Sequence, residues 1–235
     1  MRCDHPAVYT PTQQESKSLI DKRTAYHQAG RAMAICLGNR SKQLPDVHFQ
    51  IVIKPQAHNG QPLSRASKNQ GRYAVTLEGG RLVQSLPYSF AEVAQTLCSL
   101  DQEHWLCAFE ADVTNLLVGS LAEAKYVALR DGKPFNATLV YLGALQFYGG
   151  KAAMDTIDEY MGCLVPDQTG RKQKLAELFL SAYSFINQPA NWGAITALAE
   201  YILGVQIVEV QSPIDCEDVA AFLEDRLAAR IGLTG

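Results

Sequence analysis

Leu19, Tyr26, Met33 and Leu37 recur at helical spacing, with Ile20 and Ala29 beside them. Thr12-Gln13-Gln14-Glu15 ahead of them has the form of a T-x-x-E capping box, and Gly38-Asn39 is a stop signal. The pattern predicts a first helix from about residue 13 to about residue 37, after a loose lead-in over 1–11 that holds two prolines. The period then changes. Val47, Phe49, Ile51 and Ile53 alternate with His48, Gln50 and Val52, which reads as a strand with one buried face ending at Pro55. Residues 56–70 are rich in Asn, Gln, Ser, Gly and Lys and read as a loop. Tyr73, Val75 and Leu77 alternate again, and Gly79-Gly80 turns the chain into Arg81-Leu82-Val83. These runs predict a small antiparallel sheet of two or three strands.

From Ser89 onward the period is helical almost to the end. Ser89-Phe90-Ala91-Glu92 repeats the capping-box form. Helices are expected near 90–100, 103–130, 137–149, 151–163, 171–187, 190–203 and 215–230, with a short edge strand between Gly204 and Val210. Asp131-Gly132-Lys133-Pro134, Pro166-Asp167 and Gln188-Pro189 mark breaks. No β-α-β alternation is present, which argues against a parallel sheet. The expected fold class is α+β, mostly α, with helices docked on a small antiparallel sheet in one domain over 1–235.

Composition narrows the function. Apolar residues make up 47% of the 235, enough for a sizeable core, so a disordered or disulfide-stapled chain is excluded. Lys and Arg total 21 against 24 Asp and Glu, so no basic excess points to nucleic acid. Arg171-Lys172 and Lys174 form the one dense basic cluster and read as a solvated helix face. No run suits a membrane span, and Met1-Arg2-Cys3-Asp4-His5-Pro6 lacks the apolar core of a signal peptide. None of Cys3, Cys36, Cys98, Cys107, Cys163 and Cys216 forms a C-x-x-C pair, which fits free thiols in a reducing compartment. A cytoplasmic location is expected.

The chemistry concentrates in His27-Gln28-Ala29-Gly30-Arg31. His27 and Arg31 are four apart and share a helix face. Zinc peptidases place H-E-x-x-H on such a face, with two imidazoles on the metal and the glutamate as general base. Here Gln28 stands at the base position and cannot take a proton, and Arg31 stands at the second ligand position with a permanent charge. His5, His48, His58 and His104 show no ligand spacing with His27. No P-loop, G-x-S-x-G or dinucleotide motif is present.

Tyr26-His27-Gln28-Ala29-Gly30-Arg31-Ala32 resembles the Y-H-E-A-G-H-A signature of the FtsH-type zinc peptidase family, with Glu and His replaced. Leu117-Val118-Gly119-Ser120-Leu121-Ala122-Glu123-Ala124 is similar to the family's second, small-residue helix of the form G-x-x-A-E. Gly149-Gly150-Lys151-Ala152-Ala153-Met154-Asp155 resembles the segment carrying the family's acidic third ligand, with Asp155 at the matching position and Asp158 as its rival. The resemblance implies a peptidase-like domain in which Gln28 and Glu123 are vestiges of catalysis, and His27 and Asp155 are vestiges of a metal site. Zinc is expected to be absent or weakly bound, because two ligands fall short of the three or four a site needs. His27, Arg31, Asp155 and Asp158 are the candidate binding residues, with Arg31 expected to pair with one of the two aspartates in place of the metal. The implied role is binding of a protein or peptide, along the sheet edge by strand addition, without zinc proteolysis. The alternatives are an enzyme using a residual or non-zinc site in the same cleft, and a helical scaffold or oligomerisation module.

Overall fold

The longest element is a helix of 32 residues, Ser99–Arg130, whose stretch from Phe109 to Ala124 is buried almost throughout. A helix of that length spans about 48 Å and acts as the spine of the fold. The computed structural model describes residues 19–55, 73–140, 142–149, 151–205 and 213–231. The elements in chain order are α1 (Lys22–Met33), a π-helical turn Ala34–Gly38 that runs into α2 (Asn39–Ser41), β1 (Phe49–Pro55), β2 (Tyr73–Gly79), α3 (Phe90–Ala94), α4 (Ser99–Arg130), α5 (Leu142–Leu145), α6 (Lys151–Leu164), α7 (Gln168–Asn187), α8 (Pro189–Gly204), β3 (Ile214–Asp215) and α9 (Cys216–Ile231). The fold is α+β and mostly α, as the pattern predicts. No helix among the described residues is long and apolar enough to cross a membrane.

The sheet is antiparallel, in the order β2-β1-β3. Phe49, Ile51 and Ile53 of β1 and Val75 and Leu77 of β2 turn into the core, which is the face the alternation marks. The third strand, however, is Ile214–Asp215 and not Arg81–Val83. The backbone amides of Leu82 and Val83 donate instead to the two carboxylate oxygens of Asp112, each at 2.9 Å. A buried side chain on α4 thus takes donors that a strand pairing would have used. The expected edge strand at 204–210 lies mostly outside the described residues, as does the Thr12–Glu15 box.

The first helix starts later than its apolar period suggests. Asp21 is its N-cap and accepts from Arg23 N at 3.0 Å. Ile20, which the period assigns to the helix, is buried and makes a parallel bridge to Tyr73. The apolar pair Leu19-Ile20 therefore serves the sheet. The helix expected over 137–149 shrinks to Leu142–Leu145, and Ser89 precedes α3 without a side-chain capping bond. The later breaks act as expected: Asp167 caps α7 by accepting from Gly170 N at 2.6 Å, and Pro189 opens α8.

α1 packs on α4, α8 and β2. Gly30 permits the closest approach: a Cβ there would lie 2.6 Å from Ala122 Cβ and 3.0 Å from Val118 O. Glycine costs about 1 kcal/mol in a helix interior relative to alanine, and the close crossing offsets that cost. On the far side, Tyr26 stacks on Tyr126 with ring centroids 4.3 Å apart. The crossing sets His27 and Arg31 against one face of α4.

Candidate functional site

His27 is 6% exposed and Glu123 5%. Their approach follows from the helix crossing: Gly119 and Ala122 are small, so α1 sinks onto α4 and its His27 meets Glu123 one turn along. His27 Nδ1 lies 3.5 Å from Glu123 Oε2, in ion-pair range but longer than a well-formed hydrogen bond. Nδ1 is buried and has no hydrogen-bond partner. Arg23 completes the group. Its Nε donates to Glu123 Oε1 at 2.8 Å, and its Nη2 stands 2.6 Å from the same oxygen. Nη2 also donates to Phe147 O at 3.2 Å. Burial raises the Glu123 carboxyl, but His27 and the Arg23 guanidinium more than offset it and hold the group below the usual carboxylate range. Glu123 is therefore an anion in the folded protein.

Gly149 closes this end. Its φ is +88°, a conformation that favours glycine, and a Cβ there would collide with His27 Cε1 and Nδ1. Between these groups is an open recess of about 310 Å³, lined by Asp21, Arg23, Thr24, His27, Gln28, Glu123, Phe147 and Gly149. Ser120 Oγ is buried without a partner close to Gly149 and does not line the recess.

Gln28 does not face a reacting centre. Its Nε2 donates to Val75 O at 3.3 Å, and its Oε1 accepts from Leu77 N at 3.2 Å. The carboxamide thus mimics a neighbouring peptide group along β2. Leu19 O accepts from Tyr73 N at 3.1 Å on the same strand. Strand addition along β2 at these positions would have to displace both partners.

Arg31 also departs from expectation. Its stem runs across Gly119, and its Nε is buried without a hydrogen-bond partner. No carboxylate lies within ion-pair distance of it among the described residues. Burial and the repulsion of Arg81 lower its pKa to about 10, against the opposite pull of Asp112 and Tyr160. Asp155 and Asp158 are exposed on α6, and Asp155 Oδ2 lies 3.9 Å from Lys151 Nζ. The expected Arg31–aspartate pair across two helices is absent, because the acidic side chains of α6 face outward. The carboxylate toward which Arg31 is drawn is Asp112, already bound by Leu82 N, Val83 N and the Tyr160 hydroxyl at 3.0 Å.

The donor set does not suit zinc. His27 has one orphaned nitrogen, Gln28 is committed to β2, Arg31 is a cation, and both aspartates stand elsewhere. Among the described residues no three His, Cys, Asp or Glu side chains are grouped closely enough to hold a metal. Of the proposed site residues, His27, Gln28 and Glu123 meet at the recess, while Arg31, Asp155 and Asp158 do not.

No known protein family, curated protein or solved structure matches this chain.

Arg23 and Asp112 carry roles that the sequence reading did not assign. Arg23 lies four residues before His27 and so on the same helix face. Asp112 lies eleven residues before Glu123, again on one helix face and within an apolar run. A charged residue at a core position of a helix was the available signal.

Proposed function

We propose that the chain is a peptidase-like domain of the FtsH type that has given up zinc proteolysis and binds a protein or peptide. The observation that carries this reading is the Gln28 carboxamide on β2. A glutamate there would have no donor for Val75 O, so the position of a general base serves the sheet instead. The segment that resembles the family's second helix supports the same reading, since its Glu123 packs against His27. The remaining open feature is the recess beside His27, and it is the binding site under this reading.

Elemental analysis of protein purified without added metal, together with a casein-cleavage assay, tests the proposal. The expected outcome is zinc well below one per chain and no chelator-sensitive cleavage. Stoichiometric, chelator-resistant zinc with cleavage abolished by His27→Ala would overturn it.

A further inference from the structure

We propose that a polar slot between α2, α4 and α7 binds a neutral, polyhydroxylated ring of monosaccharide size. The slot shares no lining residue with the recess beside His27, and the proposal does not rest on the peptide-binding reading. Thr114 and Asn115 are adjacent polar residues in the buried stretch of α4, 7% and 4% exposed, and both line the slot. The Thr114 hydroxyl donates to Glu110 O at 2.6 Å, which leaves its oxygen as an acceptor. Asn115 Nδ2 donates to Asn39 Oδ1 at 3.3 Å, and this bond turns Asn115 Oδ1 the other way. That oxygen has no partner among the described residues, yet it is not closed off from solvent, and it opens to the slot. Asn39 Nδ2, by contrast, is covered and reaches no ligand.

Gly38 keeps the opening clear. A Cβ there would rest 3.8 Å from Asn115 Oδ1 and 3.9 Å from Phe185 Cε2, and glycine leaves that place empty. Ser181 and Ser184, three apart on α7, supply another wall, and neither hydroxyl has a protein partner among the described residues. These groups select the ligand. No carboxylate lines the slot, so an organic cation finds no counter-charge. The charged group that does line it is Lys42, which stands exposed to solvent. The Thr114 and Asn115 oxygens on the buried side are acceptors, and they repel the oxygens of a phosphate or carboxylate. A hydroxyl suits every wall: it donates to the Asn115 oxygen and gives or takes a hydrogen bond at a serine. Several hydroxyls on one ring reach α4 and α7 together, while the half-buried Phe185 offers an apolar surface to the ring's C–H face. The slot holds about 220 Å³, below the roughly 300 Å³ at which pockets for drug-sized ligands begin, so a single ring is the size it fits.

Ligand-observed NMR titration tests the slot with D-glucose, D-galactose, D-mannose and myo-inositol. The comparison compounds are tetrahydropyran, a ring without hydroxyls, and inorganic phosphate. At least one of the four polyols is expected to bind with a Kd on the order of 1 mM or tighter, and neither comparison compound to bind. Gly38→Ala is the deciding variant. The φ of −68° at Gly38 suits alanine, and the added methyl meets its neighbours at ordinary contact distances, so the chain folds as before. The methyl takes the place of the ligand hydroxyl, and binding should weaken at least about tenfold while the melting midpoint is not lowered. Ser184→Ala, at an exposed position, should weaken binding by a smaller factor. Failure of all four polyols to bind overturns the site. Binding that neither variant changes places the polyol elsewhere and overturns it as well. Phosphate bound more tightly than any polyol overturns the neutral ligand, and tetrahydropyran bound as tightly overturns recognition through hydroxyls.

Discussion

Asp112 and Glu123 are both buried on α4, about three turns apart on one face, yet their surroundings differ in kind. Glu123 is met by the Arg23 guanidinium on one oxygen, and His27 Nδ1 faces the other. Asp112 is met by close neutral donors, two backbone amides and the Tyr160 hydroxyl. Glu123 is held below the usual carboxylate range, because burial is outweighed by its two partners. Asp112 is pushed up, because burial outweighs its three hydrogen bonds and the more distant Arg81. Hydrogen bonds from neutral donors satisfy a buried carboxylate without fully compensating its charge, whereas a guanidinium in contact does. One carboxylate is therefore an architectural clamp for the loop after β2, and the other belongs to an open recess. Arg31, one turn past His27, serves neither fully, and its Nε goes unbonded.

The largest expected effect breaks the clamp. Asp112→Ala leaves the amides of Leu82 and Val83 and the Tyr160 hydroxyl without their shared acceptor, and should cost about 3 kcal/mol or more in urea denaturation. A loss below about 1 kcal/mol would mean that water replaces the carboxylate and that the clamp is not structural.

Next is the crossing that brings α1 to this face. Gly30→Ala forces a methyl into Ala122 Cβ and Val118 O and should cost about 1–3 kcal/mol, since both neighbours belong to a rigid helix. Thermal melting measures it, and an unchanged midpoint would show that the helices can part freely.

Removing the other carboxylate should cost less. Glu123→Ala is expected to lower stability by about 1–2 kcal/mol, because the Arg23 side chain is 42% exposed and can turn to solvent. A loss equal to that of Asp112→Ala would erase the distinction between clamp and recess.

The smallest effect sharpens the comparison through its sign. The folded Glu123 carboxyl lies below its ordinary 4.5, so its stabilisation is present above about pH 4.5 and is lost as pH falls through the folded value. The folded Asp112 carboxyl lies above its ordinary 3.8, so folding favours its protonated form, and stability falls as pH rises from about 3.8 through the folded value. Urea denaturation between about pH 3 and about pH 7 should show Glu123→Gln removing a rise with pH and Asp112→Asn removing a fall. Both variants bending the profile in the same direction would contradict the opposite environments.

Much of this architecture was legible in the chain itself. The alternation at Phe49, Ile51 and Ile53 marks the core face of β1, and the apolar periods locate the long helices from α4 onward to within a few residues. The Tyr26–Ala32 signature and the small-residue run ending at Glu123 mark two helices that do meet. Arg81–Val83 was not legible as a clamped loop, because its β-like sequence carries no record of the carboxylate waiting on α4. Arg31 was misread for a related reason: helical spacing put it on the face of His27, but its partner depended on where the acidic residues of α6 point.

The sequence by itself determined the elements, since local period and capping chemistry act over a few residues. It also determined that Gln28 cannot act as a general base, since an amide cannot accept a proton in any fold. Only the tertiary structure decided that this amide bonds Val75 and Leu77, that Arg23 and His27 share Glu123, and that Asp155 and Asp158 stay in solvent. Those pairings depend on the depth and angle at which α1 crosses α4, and that geometry is settled by all the packed side chains together.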